Sequence, residues 1–159
     1  MIGAKLQLEV LDEATLKSKD QMKLNPTGRY PMILHQNTAI TGNWPIARLL
    51  SSQTGNLGAT NALTQARINQ WVGFNETQVI PSVQSGDLKD VVKTLNSALT
   101  SSKYLAGEHL TYADILVAIS LSSASWDKKM KKDGSKVTTW LGELYKSEGM
   151  VSSLGEIKI

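Results

Sequence analysis

Cysteine is absent from this chain of 159 residues. That excludes a disulfide framework, a thiol nucleophile and a thiolate metal site. Histidine occurs only at His35 and His109, too few to build a metal cluster, so neither a metal nor a cofactor is expected. A run of about eighteen apolar residues, the length of a membrane span, does not occur, and no signal peptide opens the sequence. The expected location is therefore the cytoplasm, with the nucleus as a second compartment, and no membrane partner. Low-complexity tracts and internal repeats are also missing. What remains is an ordinary globular composition, with 41% apolar and 19% charged residues, in a length suited to one domain or two small ones.

The formal net charge is +3 and the sequence pI about 9.1. Much of the excess lies at Lys128, Lys129, Lys131, Lys132 and Lys136. No aromatic or arginine interleaves these lysines, as base stacking would need. Asp133-Gly134 in their midst signals a turn, so the segment reads as a solvated loop between helices. A weak electrostatic contact with RNA is the competing use of it. Direct, specific tRNA binding is not expected.

Leu110-Thr111-Tyr112-Ala113-Asp114-Ile115 has the form of a helix start. The Thr111 hydroxyl can accept the N–H of Asp114, the Asp114 carboxylate can reach back to the N–H of Thr111, and Leu110 and Ile115 stand at the staple positions. The run that follows, Ile115 to Leu121, is apolar on nearly every face, which predicts a helix buried all round. Asp114 is therefore read as a structural cap at the head of a central helix, not as a catalytic acid.

Residues 4–11 alternate polar and apolar and predict a strand. A polar segment follows to Leu24. Asn25-Pro26-Thr27-Gly28 is a turn signal, Tyr30 to Leu34 a second short strand, and Ala39-Ile40 a third. Thr41-Gly42-Asn43 starts a helix through Leu50, with Pro45 tolerated in its first turn, and 51–61 reads as a linker. Helical periodicity then covers Gln65 to Ile80, ended or kinked by Pro81, and Asp87 to Thr100. It resumes from Thr111 to about Ser125 and from Ser135 to Ser147, where Gly149 supplies the stop. A last short helix holds Met150, Val151 and Leu154. Each of the four tryptophans falls in a helix or at its end and reads first as core.

The Lys103-Tyr104-Leu105-Ala106-Gly107 turn and the Thr111–Asp114 box resemble the centre of the helical domain of glutathione-transferase-like proteins. The resemblance implies a mostly α, glutathione-transferase-like fold: a truncated thioredoxin-like α/β lobe over 1–52, then an all-α lobe over 58–159. Asn25-Pro26-Thr27-Gly28 with Pro31 is similar to the family's turn before its third strand, which makes Pro31 the candidate cis-proline.

Two departures from that family count against catalysis. The first strand and first helix, which carry the thiol-activating Tyr, Ser or Cys, have no counterpart in this reading; Tyr30 is the nearest hydroxyl. The acidic-Ser pair that holds glutathione's amine and carboxylate is replaced by Thr41-Gly42. Catalytic, cofactor-binding and metal residues are therefore all expected to be none.

Gln70-Trp71-Val72-Gly73-Phe74, Leu95-Asn96-Ser97-Ala98-Leu99 and Trp140 resemble the translation branch of the family, the elongation-factor-1 gamma and synthetase-associated domains. Shortness and Ile40-Thr41-Gly42 look most like its members in the multi-aminoacyl-tRNA-synthetase complex. The resemblance implies a non-catalytic scaffold. Its partners would be the transferase-like domains of methionyl-tRNA synthetase and of glutamyl- or glutamyl-prolyl-tRNA synthetase, or elongation factor 1 subunits. One pairing surface, over roughly Thr41–Leu50 and Leu63–Val72, would draw on Thr41, Trp44, Arg48, Arg67 and Trp71. A second would draw on Lys136, Thr139 and Trp140, with Thr139 standing where the branch has an arginine. Trp140 also fits the apolar stripe of its own helix. The alternative is a glutathione-binding transferase.

Overall fold

The computed structural model describes residue 7 and residues 9–154. The chain divides into two compact units, one up to Asn56 and one from Leu57 onward.

In the first unit, two short helices occupy the polar segment: α1 (Glu13–Leu16) and α2 (Lys19–Leu24). Asp12 and Ser18 cap them, accepting the N–H of Thr15 at 2.7 Å and of Gln21 at 3.3 Å. These are the short polar residues that favour N-caps. Strands β1 (Met32–His35) and β2 (Thr38–Thr41) form an antiparallel hairpin in the register Met32 to Thr41 and His35 to Thr38. Its two-residue turn places Gln36 and Asn37 at positive φ, 48° and 61°, as tight hairpins with native twist require. The strand expected over 4–11 lies largely outside the described residues, and 9–11 belong to no regular element.

Helix α3 (Asn43–Thr54) continues past Leu50 into the segment read as a linker. Ser51 is buried within the helix, and Thr54 returns its hydroxyl to the Leu50 carbonyl at 2.8 Å. The true stop is Gly55, in the left-handed conformation at φ 69°, where glycine carries no Cβ penalty.

In the second unit, α4 (Ala62–Phe74) starts at Asn61, whose carboxamide accepts the Thr64 N–H at 2.9 Å. Pro81 does not end this helix. The chain widens into a π-turn over Asn75–Val79, with the Ile80 N–H reaching the Asn75 carbonyl, and resumes as α5 (Ile80–Ser85). Pro81 thereby falls in a first turn, where its missing N–H costs least. Helices α6 (Lys89–Ser101) and α7 (Tyr112–Leu121) follow.

The lysine segment is a helix, α8 (Lys128–Asp133), and not the loop expected. Asp127 caps it by accepting the Met130 N–H at 2.7 Å, and Lys129 pairs with Asp133 one turn on at 2.9 Å. A local cap plus an i, i+4 pair outweighs the turn signal of Asp133-Gly134, which acts only at the helix end. Helix α9 (Ser135–Tyr145) stops before Gly149, which lies inside α10 (Glu148–Leu154). At the end of α9 the Leu144 carbonyl accepts both the N–H and the hydroxyl of Ser147, at 3.0 and 2.6 Å.

The core of this unit joins Ile68, Val79, Leu95, Val117, Leu121, Val137 and Leu141, all essentially inaccessible. Helix α7 is its centre, packed on α4, the π-turn, α5 and α9. It is not buried all round, since Ile119 faces outward.

Gly134 sets the approach of the α8–α9 turn to α6. A Cβ there would stand 2.5 Å from Val92 Cγ1 and 3.1 Å from the Met130 carbonyl oxygen. Gly134→Ala is expected to cost about 1–3 kcal/mol through that overlap, read from urea denaturation. An unchanged midpoint would show that the turn can retreat freely.

Candidate functional site

The head of α7 gathers several buried hydrogen bonds on one side chain. Asp114 is wholly inaccessible. Its Oδ1 accepts the Leu105 N–H at 2.8 Å, and its Oδ2 accepts the Thr111 N–H at 3.0 Å and the Thr111 hydroxyl at 2.8 Å. Thr111 and Asp114 form a capping box. The Asp114 N–H is also held by the Thr111 carbonyl at 3.1 Å, and the hydroxyl sends its proton to the carboxylate.

Burial raises the Asp114 pKa above 3.8, while the bonds from Leu105 and Thr111, and then the Trp140 indole, pull it back. The Trp140 indole N–H is buried and makes no well-formed hydrogen bond, yet it sits close enough to the carboxylate to favour its charge. Nearby, the Tyr145 hydroxyl donates to the Ala118 carbonyl at 2.6 Å, and burial raises its pKa. Every acceptor position of Asp114 points at structure within the fold. The carboxylate has no free face from which to take a proton from a substrate, so the arrangement positions α7 and the 105–111 turn.

The candidate residues of the first unit lie along β2 and α3. Tyr30–Pro31 is a cis peptide, and the Pro31 carbonyl accepts the Gly42 N–H at 2.8 Å. Thr41, at the end of β2, lies 3.4 Å from the Thr27 hydroxyl. Helix α3 begins at Gly42 with no side-chain cap, so its first turn offers neither a carboxylate nor a hydroxyl at that position. Trp44 is 38% exposed, and Arg48 follows it on the same face one turn later, also exposed.

In the second unit the candidates divide between surface and core. Arg67 is exposed on α4. Trp71 is buried against Phe74 in an edge-to-face pair at 5.5 Å and 83°. Trp140 is 5% exposed. Both tryptophans are core, as their place on the apolar stripes of α4 and α9 predicts, which corrects the pairing role that the resemblance gave them. Lys136 and Thr139 are exposed on α9. Lys136 donates its backbone N–H to Asn96 Oδ1 at 2.9 Å, which gives α9 a long-range cap in place of the side chain Gly134 lacks. The Thr139 hydroxyl is turned onto the Ser135 carbonyl at 2.9 Å.

Leu63, which opens the 63–72 part of the expected pairing surface, is 67% exposed on α4. It shares a face with Arg67 and Gln70, at i, i+4 and i+7, off the stripe that buries Ile68, Trp71 and Val72. Its signal in the sequence was an apolar residue standing off its helix's own stripe. Among the described residues no group of three His, Cys, Asp or Glu side chains could hold a metal ion, and no helix is long and apolar enough to cross a membrane.

Residues 65–148 match the family model described as glutathione S-transferase, C-terminal domain. The chain is 31% identical over 121 residues to the human eukaryotic translation elongation factor 1 epsilon-1, covering 73% of this chain and 69% of that protein. It is 24% identical over 169 residues to a probable elongation factor 1-gamma 1 of Arabidopsis thaliana, covering 91% of this chain and 41% of that one. The chain thus spans about two fifths of the length of the elongation factor 1-gamma proteins it matches. A delta-class glutathione transferase from Nilaparvata lugens superposes with a TM-score of 0.81 over 95% of this chain and 81% of that one, at 18% identity, a likeness of fold.

Proposed function

Because this chain belongs to the glutathione S-transferase C-terminal-domain family and shares that domain with elongation factor 1 proteins, we propose that it is a non-catalytic adaptor of the translation machinery. The observation that carries this reading is the 31% identity to an elongation factor 1 epsilon-1 protein over most of both chains. Within the family, that type is the one we assign. The partners we propose are the transferase-like domains of methionyl- and of glutamyl- or glutamyl-prolyl-tRNA synthetase, or elongation factor 1 subunits, met in the cytoplasm. Two features support an adaptor over an enzyme. Asp114, the most deeply buried acid described, is fully occupied with structure, and the start of α3 carries no carboxylate to hold an ammonium.

Pairing would use exposed side chains on helix faces. On α4 these are Leu63 and Arg67, an apolar anchor and a cation one turn apart; on α3 they are Trp44 and Arg48. Interface hot spots favour such tryptophan and arginine side chains, and about 800 Å² on each partner suffices for a stable joint. On α9, Lys136 and Thr139 remain available, with Trp140 behind them as core.

Affinity capture from an extract of the protein's own source, at moderate salt and with mass spectrometry of the retained proteins, tests the reading. Synthetases or elongation factor 1 subunits should be recovered. Leu63→Asp with Arg67→Glu should reduce that recovery at least about tenfold, as loss of an anchoring pair does, with an unchanged melting temperature because both side chains are exposed. Recovery of no translation protein would sink the adaptor reading. Conjugation of glutathione to a chlorinated aromatic would sink its non-catalytic part.

A further inference from the structure

The net charge of +3 is concentrated in one place. Residues 127–136 hold five lysines and two aspartates, which accounts for all of it. The rest of the chain balances, with twelve basic and twelve acidic side chains.

Folding turns that segment into an ordered array. Lys128, Lys131 and Lys132 stand at i, i+3 and i+4 of α8 and so share one face. Met130 turns the other way, into the cavity between α6 and α8 that Val92, Lys89 and Lys93 also line. Asp87 and Asp90 match those two α6 lysines in charge, so the excess stays on α8. Lys136 follows in the first turn of α9. The turn between the two helices is held on α6, because Gly134 lets it approach Val92 and Asn96 Oδ1 accepts the Lys136 N–H at 2.9 Å. Lys129 pairs with Asp133 at 2.9 Å. Lys128, Lys131, Lys132 and Lys136 have no ion pair among the described residues. The Asp127 carboxylate at the head of α8 offsets one of them, which leaves the +3 on this face.

We propose that this face binds the phosphate backbone of RNA without reading its sequence. Lysine is a point charge suited to phosphate, and backbone contacts draw their affinity from released counterions. Helix α8 carries neither an arginine nor an aromatic, so nothing on it would stack on a base or grip its edge. A protein partner would need an apolar anchor and a membrane a side chain to insert. None of the large apolar side chains exposed among the described residues lies on α8, and an RNA backbone needs none. The packing of α8 and the start of α9 on α6 orders the lysines in advance, which lowers the entropy cost of binding. This contact requires no protein partner, so it stands or falls apart from the adaptor reading.

Fluorescence anisotropy of the full chain with a labelled oligouridine RNA of about twelve nucleotides, within the usual span of one single-strand binding module, tests it across about 50–200 mM salt. Saturable binding is expected, with log K falling against log salt at a slope of about −3, the value for four lysines on a single strand. Lys128→Gln/Lys132→Gln should weaken binding at least about tenfold at the low-salt end and roughly halve the slope. Lys103→Gln/Lys146→Gln removes the same charge just beyond the far ends of α6 and α9 and should weaken it less than about threefold. Thermal melts of both variants should match the parent, since all four side chains are exposed. No saturable binding at low salt would overturn the proposal. So would equal loss in the two double variants, which would reduce the effect to net charge. Polyglutamate competing as well as oligouridine, charge for charge, would overturn it too and assign the face to acidic protein.

Discussion

Asp114→Ala is expected to lose about 3–5 kcal/mol of folding stability, because it strips partners from several buried donors at once and each stranded donor costs about 1–3 kcal/mol. The Leu105 and Thr111 N–H groups and the Thr111 hydroxyl all end on this one carboxylate. The turn that precedes α7 is thus tied to the head of α7 through a single side chain. Against a usual total of about 5–15 kcal/mol, that loss removes a large share of the stability and at the low end of the range nearly all of it. Chemical denaturation of parent and variant measures it. A loss below about 1 kcal/mol would show that water reaches the turn and satisfies those donors.

The pH dependence has a definite sign. The folded pKa of Asp114 lies above 3.8, chiefly through burial. Between 3.8 and that raised value the folded state binds the proton more readily than the unfolded chain, so stability from this residue falls as pH rises through the window and is regained as pH falls. Relative to Asp114→Asn, which does not titrate, the parent should therefore gain stability on acidification. The opposite trend would mean that the hydrogen bonds, and not burial, dominate.

Trp140→Ala should cost about 3–5 kcal/mol, the usual range for emptying a large aromatic from a core. Trp140 lies within the fold beside Asp114, so the two losses share surroundings and should not add. Trp140→Phe keeps most of the volume and should cost about 1 kcal/mol. This pair separates core from surface. If Trp140→Phe left the melting temperature near the parent's yet abolished capture of partners, the indole would be acting at an interface after all. If Trp140→Ala reduced capture only in proportion to unfolding, the residue acts through stability alone.

Local signals were the legible part of this molecule. The Thr111–Asp114 spacing, the apolar stripes of α4, α6 and α9, and the turn ahead of Pro31 each act within a few residues, and a helix or hairpin answers to such information directly. The mistakes came where a local signal met a stronger neighbour. Pro81 was read as ending or kinking its helix, and the interruption takes the form of a π-turn at Asn75–Val79 with Pro81 in the first turn of α5. Ser51 and Thr54 looked like linker, but the helix runs on to its glycine stop at Gly55, with the Thr54 hydroxyl bonded to the Leu50 carbonyl. The lysines looked like a loop until Asp127 capped them.

Surface and core are the other division. Trp71 and Trp140 were legible as stripe residues, and the stripe, not the residue type, told which way they face. Leu63 broke its stripe and is exposed. By itself the sequence determined the apolar stripes of α4, α6 and α9, the cap at Asp114 and the lack of a cysteine side chain in this chain, because each follows from residue type and short spacing. The tertiary structure alone decided that Leu105, Thr111 and Trp140 converge on one carboxylate, that Asn96 caps α9 across forty residues, and that Lys89 and Lys93 share a groove with Met130. These depend on which helices pack together, a choice made by summed burial over the whole unit that no short window of the chain contains.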